Sequence, residues 1–335
     1  MSIREKELQA PGARLPRALP TALIAICLAM TFVAPQPGAA AAAASAGTSG
    51  AAQREFASAE EAVDALLTAT RADDAEGLVA ILGSRGIKLI HSGDPIADRD
   101  GRERFIAAYD QSHRLEYDGS KQAVLLVGAE DWPLPIPLVH GSGGWRFDTP
   151  AGEQQILDRR VGRNELSVIE VCRAYVLAQR EYADLQASGG AERQYAQRFL
   201  SHPGQRDGLY WPITGEEAES PLGPLVAQAR AEGYVNEKPG SGPHPYYGYY
   251  YRILTRQGAH ASGGARNYVD AGGRMTGGFA LLAYPAAYGD SGVMTFIVNQ
   301  NGIVREKNLG AHTAKLARAI SAYDPDPSWR IALDH

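Results

Sequence analysis

The sequence predicts an α+β fold made of two modules that a long helix joins. Short helical patterns precede antiparallel strand patterns in the first half of the chain. One apolar stripe then recurs at helical spacing between residues 164 and 185, and turn-rich strands fill the last third. With 335 residues the chain is long enough for two ordinary domains.

The first residues have the pattern of an export signal. A basic start precedes an apolar run at residues 23–34, and small, alanine-rich residues follow it. Pro20 and Pro35 leave about 14 residues between them, fewer than the about 20 that a membrane-spanning helix needs. We therefore predict a signal peptide at residues 1–41, a flexible Ala/Gly/Ser leader at residues 42–53, and a periplasmic or secreted protein. An uncleaved anchor is the alternative.

Export and composition exclude several classes of function. Nucleotides and nucleic acid are not expected partners, because the net charge is −5 and no Lys/Arg cluster of the kind that binds phosphate backbones occurs. Once the signal is removed, Cys172 is the only thiol, so the chain must be stabilised by a buried core without a disulfide. Zinc, nucleophile-elbow, Walker and calcium-loop motifs are absent from the sequence, and we predict neither a cofactor nor a metal.

The first predicted module covers residues 54–160. Ser58 is placed to cap its first helix, and Gly83 to end its second. The patterns predict two helices, a strand, a third helix and three further strands, at residues 58–67, 74–82, 86–91, 100–117, 121–127, 136–140 and 145–148. The last two strands form a hairpin across a glycine-rich turn. This order resembles the cone-like folds of nuclear transport factor two and the SnoaL polyketide cyclases, in which helices cover a curved antiparallel sheet.

The second predicted module covers residues 161–335. It begins with the long helix, capped by Asn164, whose apolar stripe is Leu166, Ile169, Cys172, Tyr175, Val176, Tyr182 and Leu185. Cys172 lies on this stripe and is predicted to be a buried, unreactive thiol. Strands at residues 249–255, 279–284 and 293–299, an Asn-Gly hairpin and a closing helix at residues 311–323 with Leu316 and Ile320 inward follow. A long helix followed by such a sheet resembles a pseudopilin head.

One group of residues has the composition of a general-base site. In a cone-like fold, His91, Asp94 and Asp98 would leave the first strand beside the opening of the pocket. Tyr109 and His113 lie one turn apart on the following predicted helix. A His–Asp pair can hold and move a proton, so His91, Asp94 and His113 are candidate catalytic residues. The same residues also fit a turn start and a helix cap, which is the structural alternative.

A second group is aromatic and suggests ligand or partner binding. Tyr210, Trp211, Tyr246, Tyr247 and Tyr250 lie in the Gly- and Pro-rich region of the second module. Exposed rings of this kind stack on sugars or peptides. Because successive strand residues point to opposite faces, about half of these tyrosines are expected in the core instead.

Several phrases of the chain together resemble the bacterial exported family catalogued as domain of unknown function 2950. They are residues 56–63, 145–149, 175–182, 207–212, 246–250, 277–280 and 293–299. The resemblance covers roughly residues 56–329. It implies an exported protein of Gram-negative bacteria, and it brings no assigned activity, cofactor or catalytic residue.

Three functions fit these observations. The leading hypothesis is a non-catalytic binding or assembly factor of the periplasm, with an envelope protein or a surface polymer as its partner and no membrane span after signal cleavage. The first alternative is a small-molecule-binding protein or a hydrolytic enzyme that uses a pocket of the cone-like module. That alternative requires a deep apolar cavity with His91 or His113 pointing inward. The second alternative is a pseudopilin-like subunit of a surface assembly, which predicts self-association.

Overall fold

The computed structural model describes residues 52–188, 190, 192–212, 219–231, 234 and 244–333. The predicted signal peptide and nearly all of the predicted leader lie outside these residues. Within them the chain forms helices and antiparallel sheets, which confirms the α+β class.

Four helices open the described chain: α1 (Ala59–Arg71), α2 (Ala75–Leu82), α3 (Ile87–Ile90) and α4 (Pro95–Gln111), with a 3₁₀ turn at Ser84–Gly86. The predicted cap of α1 is confirmed, since the Ser58 hydroxyl accepts a hydrogen bond from the Glu61 amide at 3.1 Å. Asp74 caps α2 in the same way, and α2 ends at Gly83, whose φ of 76° suits glycine.

Two predictions in this region are wrong. Residues 86–91 were predicted as a strand, but they contain α3, because a short apolar run does not distinguish a buried helix from a strand. The third helix begins at Pro95 rather than at residue 100, since Asp94 caps it and proline suits its first position. It ends at Gln111, and residues predicted as its last turn form strand β1 instead.

The first sheet is antiparallel and follows α4. Its strands are β1 (His113–Asp118), β2 (Gln122–Val127), β3 (Trp132–Pro133), β4 (Leu138–His140) and β5 (Trp145–Phe147). They pair in the order β1-β2-β4-β5, with β3 beside β2. The predicted hairpin is confirmed, since Leu138 lies opposite Phe147 in the β4–β5 pair.

Helix α5 (Thr149–Ser188) has 40 residues and runs through the predicted module boundary at residues 160 and 161. Asn164 therefore lies inside the helix, and its prediction as the cap is wrong. The middle of the predicted stripe is buried, but Leu166 and Leu185 are exposed. Across the described part of the chain, no helix combines the length and the apolar character that a membrane crossing requires.

The second sheet is antiparallel, in the order β12-β11-β10-β9-β6. Beyond α5 come α6 (Gly223–Ala231), β6 (Tyr249–Leu254), β7 (Arg256–Gln257), β8 (Arg266–Asn267), β9 (Ala280–Pro285), β10 (Met294–Asn299), β11 (Arg305–Asn308), a 3₁₀ turn at Gly310–His312, α7 (Thr313–Ala319) and β12 (Arg330–Ile331). The three predicted strands and the β10–β11 hairpin are confirmed. The closing helix is shorter than predicted, and its Leu316 is exposed.

Buried apolar side chains form two clusters, one in each half of the chain. The first packs α1 and α2 against the first sheet and extends from Phe56 to Phe147. The second packs the C-terminal part of α5 against the second sheet and extends from Val168 to Ala332. The module boundary itself stays a prediction.

Candidate functional site

A cavity of about 580 Å³ lies among the helices of the first half. Its lining comes from α1 to α5, from the chain between β3 and β4, and from two tyrosines of the second half, Tyr234 and Tyr247. The apolar part of the wall includes Leu66, Leu78, Leu82, Ile90, Phe105 and Ile136. In the part of the chain that the structure describes, no strand of the first sheet lines this cavity, although cone-like folds place their pocket against the sheet.

The polar part of the wall is dominated by arginines. Among the residues that the structure describes, seven charged ones line the cavity: Asp98, Asp100, Arg102, Arg104, Arg159, Arg160 and Arg163. Arg102 forms an ion pair with Asp73 at 2.6 Å, and Arg104 pairs with Asp100 one helical turn away. Because five of these seven residues are arginines and two are aspartates, the described part of the wall is electropositive.

Burial shifts the pKa of two charged lining residues, Asp98 and Arg160. Burial raises the pKa of the Asp98 carboxyl, although the Ser92 amide donates to it at 2.9 Å and the Arg160 charge opposes the shift. Burial also lowers the pKa of the Arg160 guanidinium, with Asp98 opposing. The Arg160 guanidinium donates to the carbonyl oxygens of Lys88 and Leu89 at 2.7 and 2.5 Å, so it holds α3 against α5.

Asp94 is buried and joins the two halves of the protein. One carboxylate oxygen caps α4 by accepting from the amides of Ile96 and Ala97 at 3.2 and 3.1 Å. The other accepts from the Tyr234 hydroxyl at 2.9 Å and from the Gly248 amide at 2.8 Å. Four donors therefore occupy the hydrogen-bond acceptor positions of the two oxygens.

The two candidate histidines lie outside the cavity wall. His91 is exposed at the end of α3. His113 begins β1, stacks on the Tyr109 ring with centroids 3.7 Å apart, and bonds through Nδ1 to the Tyr109 carbonyl oxygen at 3.0 Å. The structure therefore does not bring His91, Asp94 and His113 together around a common space.

The five aromatic residues that the sequence predicted as a binding group also do not surround a common space. Trp211 is buried in the second core, while Tyr210 and Tyr250 are half-buried. Tyr246 and Tyr247 stack obliquely with centroids 4.2 Å apart, and Tyr247 reaches the cavity. Ligand binding by this group as a whole stays a prediction.

A tight turn explains how Tyr247 reaches the cavity. Tyr246 and Tyr249 exchange both backbone hydrogen bonds, and the two residues between them have positive φ, 51° at Tyr247 and 72° at Gly248. A Cβ on Gly248 would lie 2.7 Å from the Asn164 Nδ2 atom, so this position requires glycine. Asn164 itself donates to the carbonyl oxygen of Ser291, which lies in the turn between β9 and β10 and next to Gly248, at 2.8 Å.

Sequence reasoning missed the lining arginines. Arg159 and Arg163 are four residues apart on α5, and like charges at that spacing destabilise a helix unless something compensates them. That unfavourable pair was the available signal. For metals, the described residues contain no group of three or more His, Cys, Asp or Glu side chains placed to hold an ion.

The fold and the site define a two-part α+β protein with an apolar cavity edged by arginines. The chain matches the model of the family described as "Protein of unknown function (DUF2950)" over residues 53–332 and belongs to that family. Comparison with curated proteins and with solved structures finds no match.

Proposed function

We propose that this protein is a non-catalytic binding protein that holds a small, largely apolar molecule in the cavity of its first half. One observation carries the proposal: a space of about 580 Å³ walled by aliphatic side chains and reached by residues of both halves. Small-molecule sites commonly have about 300–1,000 Å³ and mostly apolar walls with a few polar groups. Removing an apolar ligand from water contributes about 25 cal/mol per Å² of buried apolar surface.

The arrangement of titratable groups supports binding over catalysis. The Asp94 oxygens are occupied by four donors, and His113 stacks on Tyr109 away from the cavity wall. Asp98 does line the cavity, but it is engaged with the Ser92 amide and faces Arg160. A general base must lie within hydrogen-bond reach of the proton that it takes. The oxygens of Asp94 and the ring of His113 are engaged in structural contacts instead.

The cavity-binding function is tested with N-phenyl-1-naphthylamine, a neutral apolar probe whose fluorescence rises out of water. Ala97 lines the cavity from α4, and Ala97→Trp fills part of the space. Ala107 is exposed on the same helix, so Ala107→Trp is the matched control. We expect saturable, one-to-one probe binding to the full chain and to Ala107→Trp, and at least about tenfold weaker binding to Ala97→Trp.

The opposite pattern would reject this function. Equal probe binding by the two tryptophan variants places the probe outside the cavity, and no saturable binding by the unaltered chain removes the proposal. Turnover of esters, glycosides or peptides that Asp94→Ala abolishes would contradict the non-catalytic part.

We further propose that the protein acts in the periplasm or outside the cell. The predicted signal peptide at residues 1–41 supports this proposal. Cell fractionation followed by N-terminal sequencing is expected to give a mature chain that begins near residue 42 in the envelope or medium. A full-length chain in the cytosol would contradict it.

A further inference from the structure

We infer that the cavity takes a single-chain amphiphile whose anionic head group lies against Arg159 and Arg163. The inference rests on the proposed binding function and adds the chemical class of the ligand. It follows from the charges of the cavity wall, from their partners and from where they meet solvent.

Arg159 and Arg163 differ from the other lining arginines in their surroundings. Arg102 and Arg104 form ion pairs with Asp73 and Asp100, and they are compensated. In contrast, across the described ranges neither Arg159 nor Arg163 has a carboxylate within salt-bridge distance. Among the described residues, the positive charge of the cavity wall that has no carboxylate partner therefore lies on the α5 side of the cavity.

The position of this pair suits a head group. Both side chains line the cavity and both residues are exposed, so they lie where the cavity meets solvent. They are four residues apart and share one face of α5, where their mutual repulsion disfavours the helix. The Arg159 guanidinium is also placed over the Trp132 ring, 5.6 Å from its centroid, which limits its freedom. A bound anion would relieve the repulsion.

The remaining wall suits an alkyl chain. The inner lining is aliphatic, with Leu66 and Leu78 buried in the first core. Each methylene moved from water into such a wall improves affinity by about fourfold. Because the head group stays at the exposed arginines while the tail fills the interior, a molecule with one charged end matches both parts of the wall.

Guanidinium groups bind carboxylates and phosphates through paired hydrogen bonds, so fatty acids and alkyl phosphates share the required chemistry. A cationic amphiphile is disfavoured, since the lining aspartates are engaged, Asp100 with Arg104 and Asp98 with the Ser92 amide.

The test is a competition against the neutral probe, N-phenyl-1-naphthylamine, with ligands that share a chain and differ in the head group. Dodecanoate, dodecyl phosphate, dodecanol and dodecyltrimethylammonium are compared with the full chain below their micelle concentrations. We expect dodecanoate or dodecyl phosphate to compete at least about tenfold better than dodecanol, and the cation to compete worst. The stronger of the two anions identifies the head group.

Substitutions test whether Arg159 and Arg163 cause the preference for anionic ligands. The double variant Arg159→Gln and Arg163→Gln is expected to weaken the anions by about tenfold or more and to leave dodecanol unchanged. Arg318 is exposed on α7, far along the chain from the cavity lining, and Arg318→Gln removes one positive charge there as a control with no expected effect. The single variants Arg159→Gln and Arg163→Gln match this control in charge, and each is expected to weaken the anions. Arg163→Lys keeps the charge and loses the paired geometry, so intermediate anion affinity is expected. Unfolding midpoints confirm that each variant is folded.

The failures are distinguishable. Equal competition by dodecanol and both anions, or an anion preference that the double variant keeps, overturns this inference and leaves the binding function standing. Tightest binding of the cation also overturns it. If the neutral probe itself does not bind the cavity, the proposed function falls as well.

Discussion

The two halves of this protein fill their hydrophobic cores differently. In the C-terminal half, Tyr249, Tyr268, Phe279 and Phe296 are fully buried between α5 and the second sheet. In the N-terminal half, the helices leave a cavity of about 580 Å³ beside the first core. The C-terminal half also has a hollow, of about 540 Å³ near β11 and α7, but none of these four rings lines it. Native cores normally leave few voids larger than a water molecule. Under the proposed function, the N-terminal half holds the ligand in its cavity and the C-terminal half serves as a scaffold.

The halves are nevertheless connected by specific contacts. Helix α5 contributes lining residues through its first part and core residues through its second. Asp94 links the start of α4 to Tyr234 and to the Tyr247–Gly248 turn. The scaffold thereby fixes one side of the cavity.

The largest expected difference between the two halves is how fast a cysteine thiol reacts in the folded protein. Burial raises the pKa of the Cys172 thiol to about 12 in the C-terminal core, so at pH 8 its thiolate is roughly a thousandfold scarcer than in an unfolded chain. With Cys27 changed to serine, Cys172 should react with Ellman's reagent only as the protein unfolds. In a Cys172→Ala background, Ala97→Cys in the cavity should react in the folded state. If Cys172 reacts fast in the folded protein, the C-terminal core is not closed to the reagent and the predicted difference between the halves is wrong.

The same deletion should cost more in the filled core than beside the cavity. Leu281 is fully buried on β9, an interior strand of the second sheet, and Leu281→Ala is expected to lower the free energy of unfolding by about 4 kcal/mol. Leu78 lines the cavity, so it has fewer packing partners, and Leu78→Ala is expected to cost about 2 kcal/mol. Urea unfolding measures both values. Equal losses would mean that the cavity is filled in solution.

The next largest effect is expected from the hydrogen bonds by which Asp94 connects the two halves. Asp94→Ala removes a helix cap and two hydrogen bonds to the second half, with an expected cost of about 3 kcal/mol in the free energy of unfolding. Asp74→Ala removes a cap on the exposed side of α2 and should cost about 1 kcal/mol. Urea denaturation compares them. If Asp94→Ala costs no more than its control, the link between the halves contributes nothing to stability.

The smallest expected effect is the pH dependence from Asp98. Its pKa is raised by burial, so the folded state binds its proton more tightly than the unfolded state. This contribution to stability is present below the unfolded pKa and is lost as the pH rises through the folded pKa. Asp98→Asn should therefore flatten the decline of the unfolding free energy above about pH 4, relative to the unaltered chain. An unchanged slope would contradict the assignment.

Local rules predicted much of the fold. Capping residues identified α1 and α2, the turn sequences identified the β4–β5 and β10–β11 hairpins, and helical spacing identified the buried face of α5 around Cys172. The predictions were wrong at residues whose secondary structure depends on contacts with distant parts of the chain. Residues 87–90 form a helix whose Leu89 carbonyl accepts a hydrogen bond from the distant Arg160. Asn164 lies inside α5, which begins at Thr149, and its amide donates to Ser291 instead of capping a helix.

The candidate site was harder to predict, because no short motif records it. Asp94 and His113 are residue types that occur in general-base sites, yet their contacts here are structural. In the sequence, Arg159 and Arg163 stand out only as a like-charged pair four residues apart, which does not by itself indicate a cavity. Their importance follows from the empty space beside them, which depends on five helices that meet only in three dimensions.

A crystal structure with 12-bromododecanoate tests the central claim most directly, since bromine can be located by its anomalous scattering. The account predicts the bromine in the cavity beside Leu66 and Leu78 and the carboxylate at Arg159 and Arg163. A cavity closed by its own side chains, or bromine bound only elsewhere, would contradict it.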